Sequence, residues 1–295
     1  MSYSDDFFKT YKILVQYGNK FLLSKNYFFV AYVINEETQD VSLVVSEPQS
    51  PNYNFIEVKM PMRRVKDHSY TILDTSEGRI FIHINHLGEK AKFGNIYISD
   101  STGTRFSLSM KNNVRDIEGQ CDFERIPGLN GIFIANIYDE KKVEIAKGAE
   151  NNQIPFESTF QKRHKAKSIK VFQDLDSYIT SIITFDMGGI WNKLNAPTKD
   201  SKGKKVTCKD DKCSLHLNSL SKTMYGPVYS VDNSIGLIMA TGNVGYYLAT
   251  RSDEINTYLS RDGGMSWFEV KFISYFEFFI NQLFFNKGGQ RLSYL

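Results

Sequence analysis

The chain has 295 residues, of which 41% are hydrophobic and 23% are charged, and this balance excludes an intrinsically disordered protein. The net charge of +3 is too small to indicate binding to nucleic acid. No apolar run is long enough to cross a membrane, and the first residues lack the charged-then-apolar pattern of a signal sequence. We therefore expect the chain as given to be soluble and untargeted.

In chain order, residues 1–25 show no clean hydrophobic period, and strand patterns begin after them. Short apolar segments bounded by turn residues then follow one another, as is typical of an all-β protein. Residues 138–177 interrupt this rhythm with many polar residues, and we predict a long insertion between strands there. The predicted strands are 27–34, 41–46, 55–58, 69–73, 79–84, 94–99, 106–110, 131–137, 178–183, 235–241 and 255–259.

Two octapeptides share one pattern: a hydroxyl residue, any residue, Asp, any residue, Gly, two more residues, and Trp. Asp in such a segment accepts hydrogen bonds from nearby backbone N–H groups, Gly takes a positive φ, and Trp packs on the hairpin. This Asp box therefore predicts a tight hairpin with a structural carboxylate. The pattern is carried by Thr184, Asp186, Gly188 and Trp191 in one copy, and by Ser260, Asp262, Gly264 and Trp267 in the other.

Two weaker copies of the box occur earlier in the chain. One comprises Ser99, Gly103 and Phe106, with Ser101 at the position where Asp is expected. The other lies at 46–55 and has lost its glycine.

The spacing of the boxes indicates a repeat. Their glycines are 85 and 76 residues apart (188 − 103 and 264 − 188), whereas one blade of a β-propeller takes about 40–50 residues. We therefore predict a β-propeller in which each interval holds nearly two blades, the intervening blade lacking a box.

Cys208 and Cys213 enclose four residues of a polar loop, and Cys121 has no obvious partner. This spacing favours a local disulfide, which would require an oxidising compartment. A zinc site would need two further ligands, and His216 alone is not enough. We therefore expect neither a metal nor a cofactor.

The ordered set of segments 95–109, 131–135, 181–191, 213–217 and 236–242 resembles the Vps10-domain sorting receptors, sortilin and SorLA among them. The resemblance implies a ligand-binding lumenal module on a ten-bladed propeller. Such receptors carry peptides and proteins, held in the propeller tunnel, between Golgi, cell surface and endosomes, and the full receptors are membrane-anchored.

Only about four to five of the ten blades are expected in this chain, as in a fragment or a truncated gene model. The expected organisation is an incomplete blade at 1–25, a partial propeller domain at 26–270 and a divergent, aromatic-rich tail at 271–295.

The resemblance also points to a peptide site. Ser69 and Tyr70 stand where sortilin has an aromatic pair before a tunnel strand, so only Tyr70 matches it. The arginine that clamps a peptide's terminal carboxylate in sortilin would fall near Val41 or Ser42, and its absence makes β-strand addition the favoured mode of capture. We expect ligand contacts from the first apolar strand of each blade, predicted at 27–34, 69–73, 131–137 and 235–241.

Two other functions compete with the receptor. A sialidase-like hydrolase would need clustered arginines, a tyrosine nucleophile and a proton donor. The arginines here are scattered, and we expect Asp186 and Asp262 to be committed to backbone hydrogen bonds. The other alternative is a propeller scaffold without a sorting role.

Overall fold

The computed structural model describes residues 1–23, 27–46, 54–62, 65–66, 69–75, 77–86, 91–116, 118–151, 175–207, 212–221 and 227–271. The chain divides into two compact units, Met1–Gly119 and Gln120–Leu295. Nearly all described elements are β-strands, and every strand pairing within a unit is antiparallel.

The first unit begins with a hairpin and continues with two meanders, each a run of four consecutive antiparallel strands. The hairpin is β1 (Ser2–Tyr3) with β2 (Lys12–Ile13). Meander 1 comprises β3 (Gly18–Leu23), β4 (Phe28–Asn35), β5 (Asp40–Ser46) and β6 (Ile56–Glu57), and β7 (Val65–Lys66) also pairs with β5. Meander 2 comprises β8 (Tyr70–Asp74), β9 (Phe81–Ile84), β10 (Phe93–Ser99) and β11 (Phe106–Val114).

The second unit contains two further meanders. Meander 3 comprises β12 (Phe123–Arg125), β13 (Phe133–Tyr138), β14 (Ile179–Thr184) and β15 (Asn192–Lys193). Meander 4 comprises β16 (Ser214–Leu217), β17 (Ile238–Gly245), β18 (Asn256–Ser260) and β19 (Phe268–Val270).

Each unit has its own hydrophobic core, built where its two meanders pack together. In the first unit Phe29 and Leu43 of meander 1 share a buried cluster with Ile82 and Tyr97 of meander 2. In the second unit the cluster joins Ile134 and Ile183 of meander 3 to Leu215, Ile238 and Tyr258 of meander 4. Strands β9, β14 and β16 are buried at every position, as expected for strands covered on both faces.

One helix, α1 (Glu140–Asn151), follows β13 and was not predicted. Asp139 caps it: the Val143 N–H donates to the Asp139 carbonyl at 3.0 Å, and the Lys142 N–H donates to the Asp139 carboxylate at 3.2 Å. Two 3₁₀ turns, Leu175–Ser177 and Ser252–Glu254, precede β14 and β18. Part of the predicted insertion, residues 152–174, lies outside the described residues.

Two details of the predicted repeat are wrong. The turns that contain Gly103, Gly188 and Gly264 belong to meanders 2, 3 and 4, which are consecutive, so the intervals do not each hold two blades. The extra length lies in the long connections from β13 to β14, from β15 to β16 and from β16 to β17.

The second error concerns strand order. Three of the four strands predicted to come first, at 27–34, 131–137 and 235–241, correspond to β4, β13 and β17, which are second in their meanders. Only β8, near 69–73, is first. The leading strands β12 and β16 have only three and four residues, and the pattern of hydrophobic residues alone did not reveal them.

Candidate functional site

The hairpin from β18 to β19 contains the second box and shows its geometry. The Ser260 hydroxyl donates to the Asp262 carboxylate at 2.9 Å and accepts the Gly264 N–H at 2.8 Å. The Asp262 carboxylate accepts the Ser266 N–H at 2.9 Å. The carboxylate thus satisfies turn N–H groups that have no strand partner.

Gly264 and Trp267 connect this turn to the core. Gly264 has φ +97°, and a Cβ atom there would lie 2.5 Å from Ile183 Cδ1 of meander 3. The Trp267 ring is buried and its Nε1–H donates to the Gly264 carbonyl at 3.0 Å. Glycine is required here both by backbone conformation and by close packing.

The box from β14 to β15 repeats the pattern. The Thr184 hydroxyl donates to Asp186 at 2.7 Å and accepts the Gly188 N–H at 3.0 Å. The Ile190 N–H donates to the Asp186 carboxylate at 2.9 Å. This backbone hydrogen bond is the largest cause that lowers the pKa of Asp186, so the carboxylate stays ionised and holds the turn.

The weaker third copy uses a different acceptor from the one expected. Asp100, not the residue at Ser101, accepts the N–H groups of Thr102 at 3.2 Å and Thr104 at 3.1 Å. Gly103 has φ +72°, and its N–H donates to the Asp100 carbonyl at 3.1 Å. The predicted hairpin forms between β10 and β11, with its carboxylate one residue earlier.

A box that the sequence analysis missed joins β1 to β2. The Ser4 hydroxyl donates to Asp6 at 2.8 Å and accepts the Phe8 N–H at 2.8 Å, and the Thr10 N–H donates to Asp6 at 2.9 Å. Phe8 stands at the glycine position with φ +60°, and Tyr11 stands at the tryptophan position. The spacing of Ser4, Asp6 and the aromatic Tyr11 was the signal available in the sequence.

In meanders 2, 3 and 4 the box turn joins the third strand to the fourth. The degenerate candidate at 46–55 falls between the third and fourth strands of meander 1, but residues 47–53 lie outside the described residues. The box therefore recurs at the same position in these meanders, the turn between the third and fourth strands.

The three candidate ligand residues, Val41, Ser69 and Tyr70, lie near one another in the first unit. Val41 pairs with Val65 of β7. The Ser69 hydroxyl donates to the carbonyl of Lys66, the residue that follows Val65, at 2.6 Å. Tyr70 begins β8. All three are buried, with exposed fractions of 2%, 4% and 8%.

An ion pair between the half-exposed Lys66 and the buried Asp40 stabilises this region. The Lys66 ammonium lies 2.8 Å from the carboxylate of Asp40, which is almost fully buried. The Tyr70 ring belongs to the core cluster of the first unit and has the Lys20 ammonium 5.1 Å from its centroid. Core packing therefore accounts for Tyr70 as well as ligand contact does, and its role in binding stays a prediction.

The second unit contains a buried polar network that was not predicted. The Asn136 amide donates to Asp122 at 2.9 Å and to the Leu217 carbonyl at 3.1 Å. The Ser181 hydroxyl donates to Asn136 and also accepts the Leu217 N–H at 2.8 Å. The network therefore ties meander 3 to meander 4 through side chains that are all buried.

His216 belongs to the same network as a neutral ring. Its Nδ1 accepts the Ser181 N–H at 3.2 Å, so its proton is on Nε2, which donates to the Gly245 carbonyl at 3.0 Å. Burial lowers the pKa of His216 to about 4. The Ser214 hydroxyl lies 3.3 Å from Nε2, but that nitrogen already carries a proton and cannot accept one from the hydroxyl.

Cys213 is disulfide-bonded, and Cys121 is a buried thiol. Cys208 lies outside the described residues, so its pairing with Cys213 stays a prediction. Across the described part of the chain, no group of His, Cys, Asp and Glu side chains is placed to hold a metal ion. No helix among the described residues is long and apolar enough to cross a membrane.

Comparison with known proteins identifies relatives. A family model described as sortilin, neurotensin receptor 3, matches residues 1–279. Vacuolar protein sorting/targeting protein 10 of Laccaria bicolor is 34% identical over 212 residues, which cover 71% of this chain and 12% of that protein. The protein of the same name from Kluyveromyces lactis is 31% identical over 277 residues, or 92% of this chain and 16% of that protein.

An uncharacterized membrane glycoprotein of Saccharomyces cerevisiae is 35% identical over 225 residues, covering 74% of this chain and 18% of that protein. A solved structure of an acylaminoacyl peptidase from Pyrococcus horikoshii is 10% identical in sequence, with a TM-score of 0.30. The match covers 87% of this chain and 32% of that chain.

The chain spans less than a fifth of the length of these three relatives. The family match confirms the predicted resemblance and the all-β, propeller-type fold, of which four meanders and a hairpin are described. The chain belongs to the sortilin–Vps10 family.

Proposed function

We propose that this chain is a ligand-binding, lumenal part of a Vps10-type sorting receptor, which captures peptides or proteins for traffic between Golgi and endosomes. The observation that carries the proposal is the family match over residues 1–279. Its relatives include proteins named for vacuolar protein sorting and targeting. Since the chain covers only 12–18% of these relatives, the activity of a complete receptor is part of the proposal.

The lumenal location has two supports. One relative is named a membrane glycoprotein. Cys213 is disulfide-bonded, and such bonds persist in oxidising compartments. The proposed compartments are the lumen of Golgi and endosomes and the outer face of the plasma membrane.

The proposed capture surface includes the β5–β8 region around Val41, Ser69 and Tyr70. Because these side chains are buried, the ligand would contact the backbone and exposed residues next to them, and Tyr70 would hold the first strand of meander 2 in place. Addition of the ligand as an extra strand fits such a surface, since it uses main-chain hydrogen bonds.

A receptor is favoured over a hydrolase by the chemistry of the carboxylates and the histidine. Asp186 and Asp262 hold turn N–H groups, and the pKa of Asp186 is lowered chiefly by its bond from the Ile190 N–H, which is the wrong direction for a proton donor. His216 is buried, with both ring nitrogens engaged by backbone groups.

The test is capture of lumenal propeptides by the purified full chain, followed by calorimetry. We expect saturable binding, weakened by about 1–2 kcal/mol in Tyr70→Ala and almost unchanged in Tyr70→Phe, which keeps the ring. Melting curves of both variants control for folding. Failure of all propeptides to bind, or hydrolysis of a fluorogenic sialoside, would contradict the proposal.

A further inference from the structure

The first unit contains a cavity of 420 Å³ between the segment that joins β2 to β3 and one face of meander 1. This volume is within the range of ligand pockets, about 300–1,000 Å³. The walls are almost entirely apolar, and a glutamine is the single amide among them. The residues used below are Leu14, Tyr17, Tyr32, Ile34, Val44 and Phe55.

A β-bulge contributes one of the residues that line this cavity. Strand β4 pairs Val33 with Val41 and Asn35 with Asp40, so Ile34 is an extra residue that the ladder does not pair. The Ile34 side chain lines the cavity and is 58% exposed. Such an exposed, branched side chain at a cavity mouth gives an incoming apolar group immediate contact.

A carboxylate lies beside the cavity on the side of β5 and β6, whereas the N-terminal ammonium, which donates to the Val15 carbonyl, lies on the side of the segment that joins β2 to β3. Glu57 stands opposite Val44 in the β5–β6 ladder, so the two side chains share a face. The Ser42 hydroxyl donates to the Glu57 carboxylate at 2.9 Å, and Ser42 is in turn opposite Tyr32. Glu36 and Glu37 follow Ile34 in the chain, and the cavity walls include neither Lys nor Arg.

We propose that this cavity binds a peptide segment in which a large aliphatic side chain is followed by a lysine or arginine. The aliphatic group fills the space between Leu14, Tyr32 and Phe55, and the cation lies against Glu57. The proposal rests on the proposed function, because it takes the ligand to be a peptide, and it names the side chains that the receptor selects.

Fluorescence anisotropy with labelled 12-residue glycine–serine peptides tests this on the full chain. One peptide carries a central Leu-Lys pair, the second Ala-Lys and the third Leu-Glu. We expect the Leu-Lys peptide to bind about tenfold more tightly than either of the others. Equal binding of all three, or no binding of the Leu-Lys peptide at millimolar concentration, overturns the proposal.

Two protein variants locate the binding. Ile34→Ser should weaken binding of the Leu-Lys peptide about tenfold, whereas Ile145→Ser, a matched change of a 56% exposed isoleucine in helix α1 of the second unit, should leave it unchanged. Glu57→Gln should remove the preference for lysine over glutamate and keep that for leucine over alanine. If propeptides bind but Ile34→Ser binds them and the Leu-Lys peptide normally, the cavity is not the site and the proposed function still stands.

Discussion

The box hairpins at 4–11 and 260–267 have the same hydrogen bonds but different surroundings. In both, a serine hydroxyl accepts the N–H of the fifth residue at 2.8 Å, and the Asp carboxylate accepts the N–H of the seventh at 2.9 Å. Trp267 is nevertheless only 3% exposed, whereas Tyr11 is 65% exposed. Ser and Asp therefore determine the shape of the turn, while Gly and Trp determine how much the turn contributes to the core.

The largest effect expected of a single substitution comes from filling the close contact at Gly264. Gly264→Ala should lower the free energy of unfolding by about 3 kcal/mol, because a Cβ would lie 2.5 Å from Ile183 Cδ1 at a φ of +97°. Gly203→Ala is the control: its φ is +78° with nothing within 4 Å, so about 1 kcal/mol is expected. Urea denaturation measures both. Equal losses would show that packing at Gly264 is unimportant.

Acid should weaken both meander pairs and spare the exposed hairpin, which contains no histidine. Burial lowers the pKa of His83 to about 3 and of His216 to about 4, from 6.5. The unfolded chain therefore binds protons first, and stability present above pH 6.5 is lost as the pH falls toward the folded pKa. At pH 5 the loss is about 2 kcal/mol for each histidine.

Urea denaturation at pH 7 and pH 5 checks this effect. His216→Gln should be less stable at pH 7 but lose less stability on acidification than the native protein. An unchanged difference between the two pH values would contradict the assignment of His216 as a buried neutral group.

Removing the carboxylate should have a larger effect on stability in the 260–267 hairpin than in the 4–11 hairpin. Asp262→Ala should cost about 1–2 kcal/mol, because the Ser266 N–H and the hydroxyls of Ser260 and Ser266 lose their acceptor beside the core. Asp6→Ala should leave the global unfolding transition almost unchanged, since its hairpin is mostly exposed. Hydrogen exchange should instead show a faster Thr10 amide in Asp6→Ala. Similar melting losses in both variants would refute the distinction.

The smallest effect tests the third box. Asp100→Ala should cost about 1 kcal/mol because the N–H groups of Thr102 and Thr104 lose their acceptor, and Ser101→Ala should be neutral. Thermal melting of the two variants decides it. A larger loss of stability in Ser101→Ala than in Asp100→Ala would instead support Ser101 as the residue at the Asp position of this box.

The sequence predicted features that depend on local chemistry. Thr184, Asp186 and Gly188 form a turn by themselves, so their pattern identifies the hairpin without knowledge of its neighbours. The box at 4–11 was missed because Phe8 adopts the positive φ that the pattern reserves for glycine. Local patterns fail where tertiary context or tolerance of strain replaces the expected residue.

Features that depend on distant contacts could not be predicted. Nothing near Asn136 in the chain indicates that its amide reaches Leu217 across two meanders. The burial of Tyr70 likewise depends on strands from both meanders of its unit. The sequence thus placed Val41 and Tyr70 on strands, as found, but did not reveal how deeply they are buried, and their role in binding stays a prediction.

The connection between β13 and β14 has a consequence for folding kinetics. Residues 139–178 separate these strands, about four times the length of the 246–255 connection between β17 and β18. A fourfold longer loop costs about 1.2 kcal/mol more in closure entropy, and this cost must be met before the two strands can pair. The Asp139 N–H nevertheless donates to the Tyr178 carbonyl at 2.9 Å, so both ends of the connection meet at one rung of the ladder. We therefore expect closure of this rung, which brings Ser181 toward Asn136, to be slower than closure of the β17–β18 hairpin.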